Sequence, residues 1–249
     1  MRLTVLGSSG TFTGAGSLCS GYLVRTATTN VLVDAGNGST SNLQREVALE
    51  DLDAIVISHK HADHCVDLIG LHHAVRARGP GATGIPLYSP PGVAELLAEL
   101  TSREAPYVFE ESFELQTVQA GDSFTVGDLR FDLFDSIHPP PTLSMRIHGN
   151  GRVLTYSGDS AGGPNLVGAA RDADLFLCEA TWQGRTDEHP PGIHLTAEAA
   201  GRVATEAAAK RLVLTHIAGN LDRDVSKREA SATYDGPIEL AEDCVTFEV

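Results

Sequence analysis

The segment Ser58-His59-Lys60-His61-Ala62-Asp63-His64 sets three imidazoles and a carboxylate within seven consecutive residues. In an extended backbone side chains alternate from side to side, so His59 and His61 point the same way and can grip one cation between them. Asp63 and His64 open the following helix and turn towards a second point a few ångströms away. Imidazole and carboxylate together suit zinc, and also iron or manganese. A solitary histidine on a loop is ordinarily solvated or hydrogen-bonded. Ligand-type residues in an H-x-H-x-D-H spacing, at the end of a buried strand, read instead as a metal site.

The strand that must hold this loop is Asp53–Ser58, a continuous apolar run (DAIVIS) of the kind covered on both faces, leading directly into His59. Upstream, Leu3–Leu6 is a short strand ending in Gly-Ser-Ser-Gly. Gly21–Arg25 and Asn30–Asp34 form a hairpin, followed by Asp34-Ala-Gly-Asn-Gly and a helix over Ser39–Arg45. Downstream, one helix is predicted over Asp63–Arg78, stopped by Gly79-Pro80-Gly81. Pro86–Ser89 is a strand, and Pro91–Thr101 has helical spacing, with Val93, Leu96, Leu97 and Leu100 on one face. Phe113–Leu115, Asp122–Val126, Leu129–Asp135, Leu143–His148 and Val153–Ser157 read as a β meander. The last third alternates: a helix over Leu166–Arg171, a buried strand over Leu175–Cys178, an Ala-rich helix over Thr196–Ala209, then strands over Arg211–Thr215 and Cys244–Val249. Two mixed sheets packed face to face with helices outside satisfy this order. The predicted architecture is an α/β four-layer αββα sandwich forming one domain over residues 1–249.

At 249 residues, 42% hydrophobic and 20% charged, the chain can bury enough surface to fold, which excludes a disordered protein. No apolar run reaches the roughly 18 residues of a membrane span, and the N-terminal run is broken by glycines with no signal-peptide core. The net charge of −15 is shared by both halves and repels phosphate backbones, arguing against a general nucleic-acid binder. Such a charge is compatible with an enzyme that masks its substrate's charge locally with metal ions. Cys19, Cys65, Cys178 and Cys244 show no CxxC pairing and read as reduced thiols of a cytoplasmic protein.

SHKHADH resembles the signature of the metallo-β-lactamase superfamily, whose fold is this αββα sandwich, and the resemblance runs through essentially the whole chain. Leu6–Gly10 (LGSSG) is similar to the family's opening turn, and Leu32–Gly38 (LVDAGNG) to the strand and turn before its metal loop. The resemblance implies further ligands at later strand ends: His138 in DSIHPPP, Asp159 in TYSGDS and His216 in VLTHI. His59, His61 and His138 would then hold one divalent ion and Asp63, His64 and His216 a second, with Asp159 bridging. Zinc heads the list, with manganese or iron also accommodated. Such a pair supports a bridging hydroxide and clamps an anionic transition state.

His194, in HLTAEAA ahead of the Ala-rich helix, resembles a motif of the tRNA 3′-processing endonucleases (ribonuclease Z) and their phosphodiesterase relatives. There the matching histidine contacts the scissile phosphate and helps protonate the leaving oxygen. Glu179, in Glu179-Ala-Thr-Trp182, also looks like that branch, and a buried glutamate there would hold His194 protonated. The predicted catalytic set is thus Asp63, His194 and Glu179. His72, His73 and His148 are read as packing or surface residues, His189 as a loop residue near substrate, and Pro139–Pro141, Gly162–Pro164 and Gly219–Asp224 as cleft rims. Asp222–Asp224 and Arg185 are further candidates for substrate contact.

Ribonuclease Z carries a Gly/Pro-rich arm that grips tRNA between its His138-type and Asp159-type ligands; here that interval has room for two strands and a turn. Gly79–Gly84 is Gly/Pro-rich but short and in another interval. The expected activity is therefore hydrolysis of a small phosphodiester, a cyclic nucleotide or short oligonucleotide, with RNA disfavoured by the charge and no membrane partner. A homodimer is compatible with the sequence. Competing readings are an armless ribonuclease Z-like RNA 3′-endonuclease, a carboxylic ester, lactone or thioester hydrolase, and a non-catalytic metal-binding protein. The filled ligand set speaks against the last.

Overall fold

Leu3 and Val5, Tyr22 and Val24, and Val31 and Val33 occupy alternate positions of three strands and so share one apolar face, while Leu6, Leu23 and Leu32 share the opposite one. A sheet apolar on both sides must be covered on both. The computed structural model describes residues 1–78, 84–101 and 108–249. It shows how the covering is done. Strands β1 (Arg2–Gly7), β3 (Gly21–Arg25), β4 (Asn30–Ala35), β5 (Ala54–Val56), β6 (Ile85–Ser89) and β7 (Phe113–Thr117) follow one another in the first sheet, with the closing strand β16 (Thr246–Glu248) beyond β1. Its partners are antiparallel as far as β4 and parallel beyond. The second sheet runs β8 (Ser123–Val126), β9 (Leu129–Asp135), β10 (Leu143–Gly149), β11 (Arg152–Tyr156), β12 (Leu175–Glu179), β13 (Leu212–Thr215) and β15 (Ile238–Leu240). It is antiparallel up to β11 and parallel after it.

The inner faces meet in one cluster that includes Val5, Tyr22, Val33, Val56, Phe131, Met145, Tyr156 and Leu177. Outside the first sheet pack helices α1 (Ser39–Glu46), α3 (Leu68–Ala77) and α4 (Val93–Thr101), through Leu43, Leu71 and Leu97. Outside the second lie α5 (Pro164–Ala170), α6 (Ala197–Glu206) and α7 (Arg223–Ala230), through Leu166, Ala200 and Ala230. The predicted αββα sandwich is the observed fold. No helix among the described residues is long and apolar enough to cross a membrane. A two-residue parallel pair, β2 (Ser9–Gly10) with β14 (Ile217–Ala218), ties the two halves together just past β13.

Several expected elements differ. The helix predicted over Asp63–Arg78 is two: α2 (Ala62–Cys65) and α3. The break falls at Val66 and Asp67, because the Asp67 N–H turns out to the Ala35 carbonyl at 3.0 Å and its carboxylate accepts from the Gly38 and Thr40 amides, each at 3.0 Å. That diversion lets Asp63 and His64 face the site on a short helix of their own. The expected Gly79–Gly81 stop lies outside the described residues. Phe113–Thr117 is no part of the meander: as β7 it pairs parallel with β6 at the edge of the first sheet, and the meander is β8 to β11. The Ala-rich helix ends at Glu206, where Ala208 turns left-handed (φ 52) and the Ala209 N–H closes on the Ala204 carbonyl. His148, expected at the surface, is half-buried against Asp132 at 2.9 Å. Helix α7 and strand β15 were not anticipated; only Ser226 and Ala230 of α7 are buried, too few to mark an apolar stripe.

Candidate metal centre

The carboxyl ends of β4, β5, β9, β11, β12 and β13 reach the same edge of the sandwich, and each delivers one polar side chain or a short polar loop there. An open crevice at such strand ends is where α/β folds place chemistry. The loop after β5 supplies His59 and His61; β9 leads to His138, β11 to Asp159, and β13 to His216. Gly36, in the turn after β4, allows the loop to close down: a Cβ there would overlap the Asp63 carbonyl.

The donor atoms form two groups that share Asp159. His59 Nε2 lies 3.0 Å from His61 Nδ1, which is 3.1 Å from His138 Nε2. Asp159 Oδ2 sits 3.5 Å from His59 Nε2 and 3.6 Å from His138 Nε2. In the second group His64 Nε2 is 3.2 Å from His216 Nε2 and 3.6 Å from Asp63 Oδ2. His216 Nε2 is 3.2 Å from that same oxygen, and Asp159 Oδ1 is 3.1 Å from His64 Nε2 and 3.4 Å from His216 Nε2. Ligands about 2.0–2.1 Å from a tetrahedral zinc stand about 3.3 Å apart, so both spacings fit a cation. Asp159 is 1% exposed, and its Oδ1 is a buried acceptor with no hydrogen-bond partner, the state expected of a ligand oxygen.

The tautomers follow from what lies behind each ring. His59 Nδ1 donates to Ser58 Oγ at 3.0 Å, His64 Nδ1 to Asp34 Oδ2 at 2.7 Å, His138 Nδ1 to the Ile193 carbonyl at 2.7 Å, and His216 Nδ1 to Thr181 Oγ1 at 2.8 Å. With the proton spent at Nδ1, each Nε2 offers a bare lone pair to the centre. Burial and the neighbouring His64 hold His59 well below the ordinary imidazole value, in its neutral, ligating form. Burial opposes charge on His64 as well, but Asp159, Asp63 and Asp34 outweigh it and keep its proton affinity well above normal. A cation set between His64 and Asp159 would replace that proton. Asp63 is held below the usual carboxylate range despite its burial, by His64 and His216.

Two of these supporting residues carried no assigned role in the sequence. Asp34, the penultimate residue of β4, has φ 58 and accepts from the Ser58 amide at 2.7 Å, Ser58 Oγ at 2.8 Å, His64 Nδ1 and the Tyr156 hydroxyl at 2.7 Å. Its signal was an acid closing an apolar strand in LVDAGNG. Thr181 relays His216 to Glu179 by donating to Glu179 Oε2 at 2.7 Å. Asp34→Asn keeps the left-handed backbone but loses acceptor capacity. It is expected to weaken cation affinity about 10- to 100-fold in a chelator competition; unchanged affinity would remove Asp34 from the support of the site.

His194 stands on the wall of a cleft of about 440 Å3 lined also by Thr11, His61, Asp63, His138, Asp159 and Ile193. Its Nδ1 is 2.9 Å from Glu179 Oε1 and 3.9 Å from Asp159 Oδ2. Burial disfavours the imidazolium, yet Glu179 and, more weakly, Asp159 raise its pKa above the ordinary value. Glu179 itself is fully buried and accepts further from the amides of Ser160, Thr181 and Leu195. It does not reach the cleft. It is a positioning residue, standing between His194 and, through Thr181, His216. Trp182 abuts His194 edge-on at 5.3 Å between centroids.

Other expected contacts are placed elsewhere. His189 stacks on Trp182 and donates to the Gln183 carbonyl. Of the three rim loops, the first lines the cleft through Pro139, Gly162–Pro164 is not among its lining residues, and Gly219, Leu221 and Arg223 line a separate hollow with Gly14–Ser17. Asp222 caps α7, and Arg185 pairs with Asp187 on the surface. The four cysteines are free; Cys19, Cys65 and Cys178 are buried and Cys244 is exposed.

Comparison with known proteins bears on the fold and the family. A model of the beta-lactamase superfamily domain matches residues 29–217. An uncharacterized protein of Mycobacterium tuberculosis (strain ATCC 25618 / H37Rv) is 36% identical over 261 residues, covering 100% of this chain and 92% of that one. The probable metallo-hydrolase YhfI of Bacillus subtilis (strain 168) is 30% identical over 251 residues, covering 100% of both, and its crystal structure superposes with a TM-score of 0.86 over 99% of each chain. A ribonuclease Z of Myxococcus xanthus (strain DK1622) is 30% identical over 306 residues, covering 100% of this chain and 98% of its own. With the family match spanning most of the chain and the whole fold shared with YhfI, this protein belongs to the metallo-β-lactamase superfamily of hydrolases.

Proposed function

We propose that this protein is a dinuclear metal-dependent phosphodiesterase acting on a small nucleotide phosphodiester, a cyclic nucleotide or a short oligonucleotide. The observation that carries the reading is the Glu179–His194 pair, whose Nδ1 to Oε1 distance is 2.9 Å, set at the cleft wall beside Asp159. A diester expels an alkoxide, a poor leaving group that gains most from a proton delivered as it departs. Glu179 holds a proton on His194 Nδ1, and His194 Nε2, which makes no protein hydrogen bond among the described residues, donates to the leaving oxygen. A thioester expels a thiolate and has no use for that acid.

Two divalent cations, zinc, manganese or iron, held by His59, His61, His138 and by Asp63, His64, His216 with Asp159 shared, would activate water and neutralise phosphoryl oxygens. Asp63 is fixed for orienting the nucleophile: the Thr11 amide donates to its Oδ2 at 2.9 Å. The test is turnover of bis(p-nitrophenyl) phosphate by zinc- or manganese-loaded protein, with Asp63→Ala as the blank. Turnover that vanishes in the variant supports the reading. No turnover with both ions counted in place would overturn it and point to carboxylic esters or thioesters.

A second reading, an RNA 3′-endonuclease, is favoured by the likeness to the Myxococcus ribonuclease Z. The interval from His138 to Asp159 is taken up by the β10–β11 hairpin, which leaves a small diester as the better fit. Cleavage of a 3′-extended tRNA precursor faster than any small diester would reverse the order.

A further inference from the structure

Next along the chain from two cleft-lining residues stands exposed apolar surface that the ligand set does not explain. Among the described residues Phe12 is 49% and Ile137 48% exposed; each adjoins a cleft-lining residue, Thr11 and His138, and Ile193 lines the cleft itself. Exposed aromatic surface is unfavourable in water unless something covers it. Phe12 belongs to none of the three apolar clusters, so nothing in the fold's own core covers it.

The backbone holds Phe12 in place at some cost. Thr11 has φ 62, a value that β-branched residues avoid, and the Phe12 N–H donates to the Gly10 carbonyl at 2.6 Å to close a three-residue turn around it. The turn is tied down from both sides. The Thr11 amide donates to Asp63 Oδ2 at 2.9 Å, and Ser9 Oγ donates to the Phe12 carbonyl at 2.6 Å. Gly10 lies so close to His216 that a Cβ would overlap the His216 carbonyl. Strain of this kind persists where the surroundings impose it, and here two of the candidate metal ligands do so.

The charge of the cleft narrows what would cover the ring. No Lys or Arg is among its lining residues. Beyond His194 and the ions that the ligand set would hold, the lining offers no cation for a second phosphate charge or a polyphosphate, whereas a diester carries one charge and must draw its remaining affinity from apolar contact.

We propose that Phe12 is a stacking platform for the nucleobase of the substrate and selects nucleoside phosphodiesters over alkyl ones. The proposal rests on the phosphodiesterase reading. An aromatic ring accepts any base on its face, so the selection is for a base as such and not for its sequence identity.

The experiment compares thymidine 5′-(p-nitrophenyl) phosphate with methyl p-nitrophenyl phosphate on the zinc-loaded protein. Both release p-nitrophenolate and differ only in the group that stays on phosphorus. Phe12→Ala is expected to raise KM for the thymidine ester about tenfold, with kcat kept and the methyl ester unaffected. Phe12→Leu, which removes the ring and keeps the bulk, should give the same split, and Phe12→Trp should restore the preference. Equal changes on both esters, or none on either, would overturn the role of Phe12 and leave the phosphodiesterase reading standing. If the unmutated protein, with its ions counted, turns over neither ester, that reading fails and the stacking role with it.

Discussion

Asp159→Ala should reduce bis(p-nitrophenyl) phosphate hydrolysis about 10³-fold or more and leave the purified protein with fewer than two ions per chain. The reasoning starts from its two oxygens. Oδ1 lies 3.1 Å from His64 Nε2 and 3.4 Å from His216 Nε2, while Oδ2 lies 3.5 Å from His59 Nε2 and 3.6 Å from His138 Nε2. One side chain thus completes both donor groups. Oδ1 has no hydrogen-bond partner and is cut off from water, so leaving it charged without a cation would be costly. Its backbone is pinned as well: Ser136 Oγ donates to the Asp159 carbonyl at 2.7 Å, and the next residue's amide donates to Glu179 at 2.6 Å. Metal content by plasma mass spectrometry, read beside the rate, decides the matter. Two ions retained at the full rate would show that the groups do not share this residue.

The second large effect concerns a residue that need not hold metal at all. On a diester with an alkoxide leaving group, His194→Ala is expected to cut kcat about 10²- to 10⁴-fold while both ions and the Tm stay near those of the unmutated protein. Its Nδ1 faces Glu179 at 2.9 Å, and the distance from that nitrogen to Asp159 Oδ2 is 3.9 Å, too long for a shared hydrogen bond. With Nδ1 committed to Glu179, the imidazole stands outside the seven-residue ligand set, while lying close enough to Asp159 and His216 that the ion count is the deciding readout. Loss of an ion in this variant would move His194 into the ligand set and take away its role as the acid. A leaving-group series separates the roles further. A proton donor matters for an alkoxide and little for p-nitrophenolate, so the defect should grow as the leaving group becomes more basic.

The pairing of His59 with His61 needed no fold, because a two-residue period puts both imidazoles on one side and the structure has their nitrogens 3.0 Å apart. The layers themselves were legible for a similar reason: strands such as Leu3–Leu6 and Asn30–Asp34 carry their burial in a continuous apolar run, and the Val93, Leu97 face of α4 in a helical period. His138, Asp159 and His216 came only through resemblance. Nothing local distinguishes a histidine after LFDSI from any other loop histidine.

What stayed hidden depends on contacts between distant segments. Asp34 becomes the anchor of His64 only when β4 lies beside β5 and across from Tyr156 of the other sheet. Thr181 acquires its part only once β12 and β13 run in parallel register, with Glu179 opposite Thr215, which brings His216 to its hydroxyl. The split between α2 and α3 rests on the Ala35 carbonyl taking the Asp67 amide, a competition that helical periodicity cannot register because every residue from Ala62 to Ala77 is individually acceptable in a helix. Phe113–Thr117 reads as a strand from its own residues, but its membership of the first sheet follows from the crossover through α4. Residue type and spacing carry the chemistry that lies within a few positions along the chain; which backbone atom or ring stands behind each ligand is set by how the two sheets close on each other.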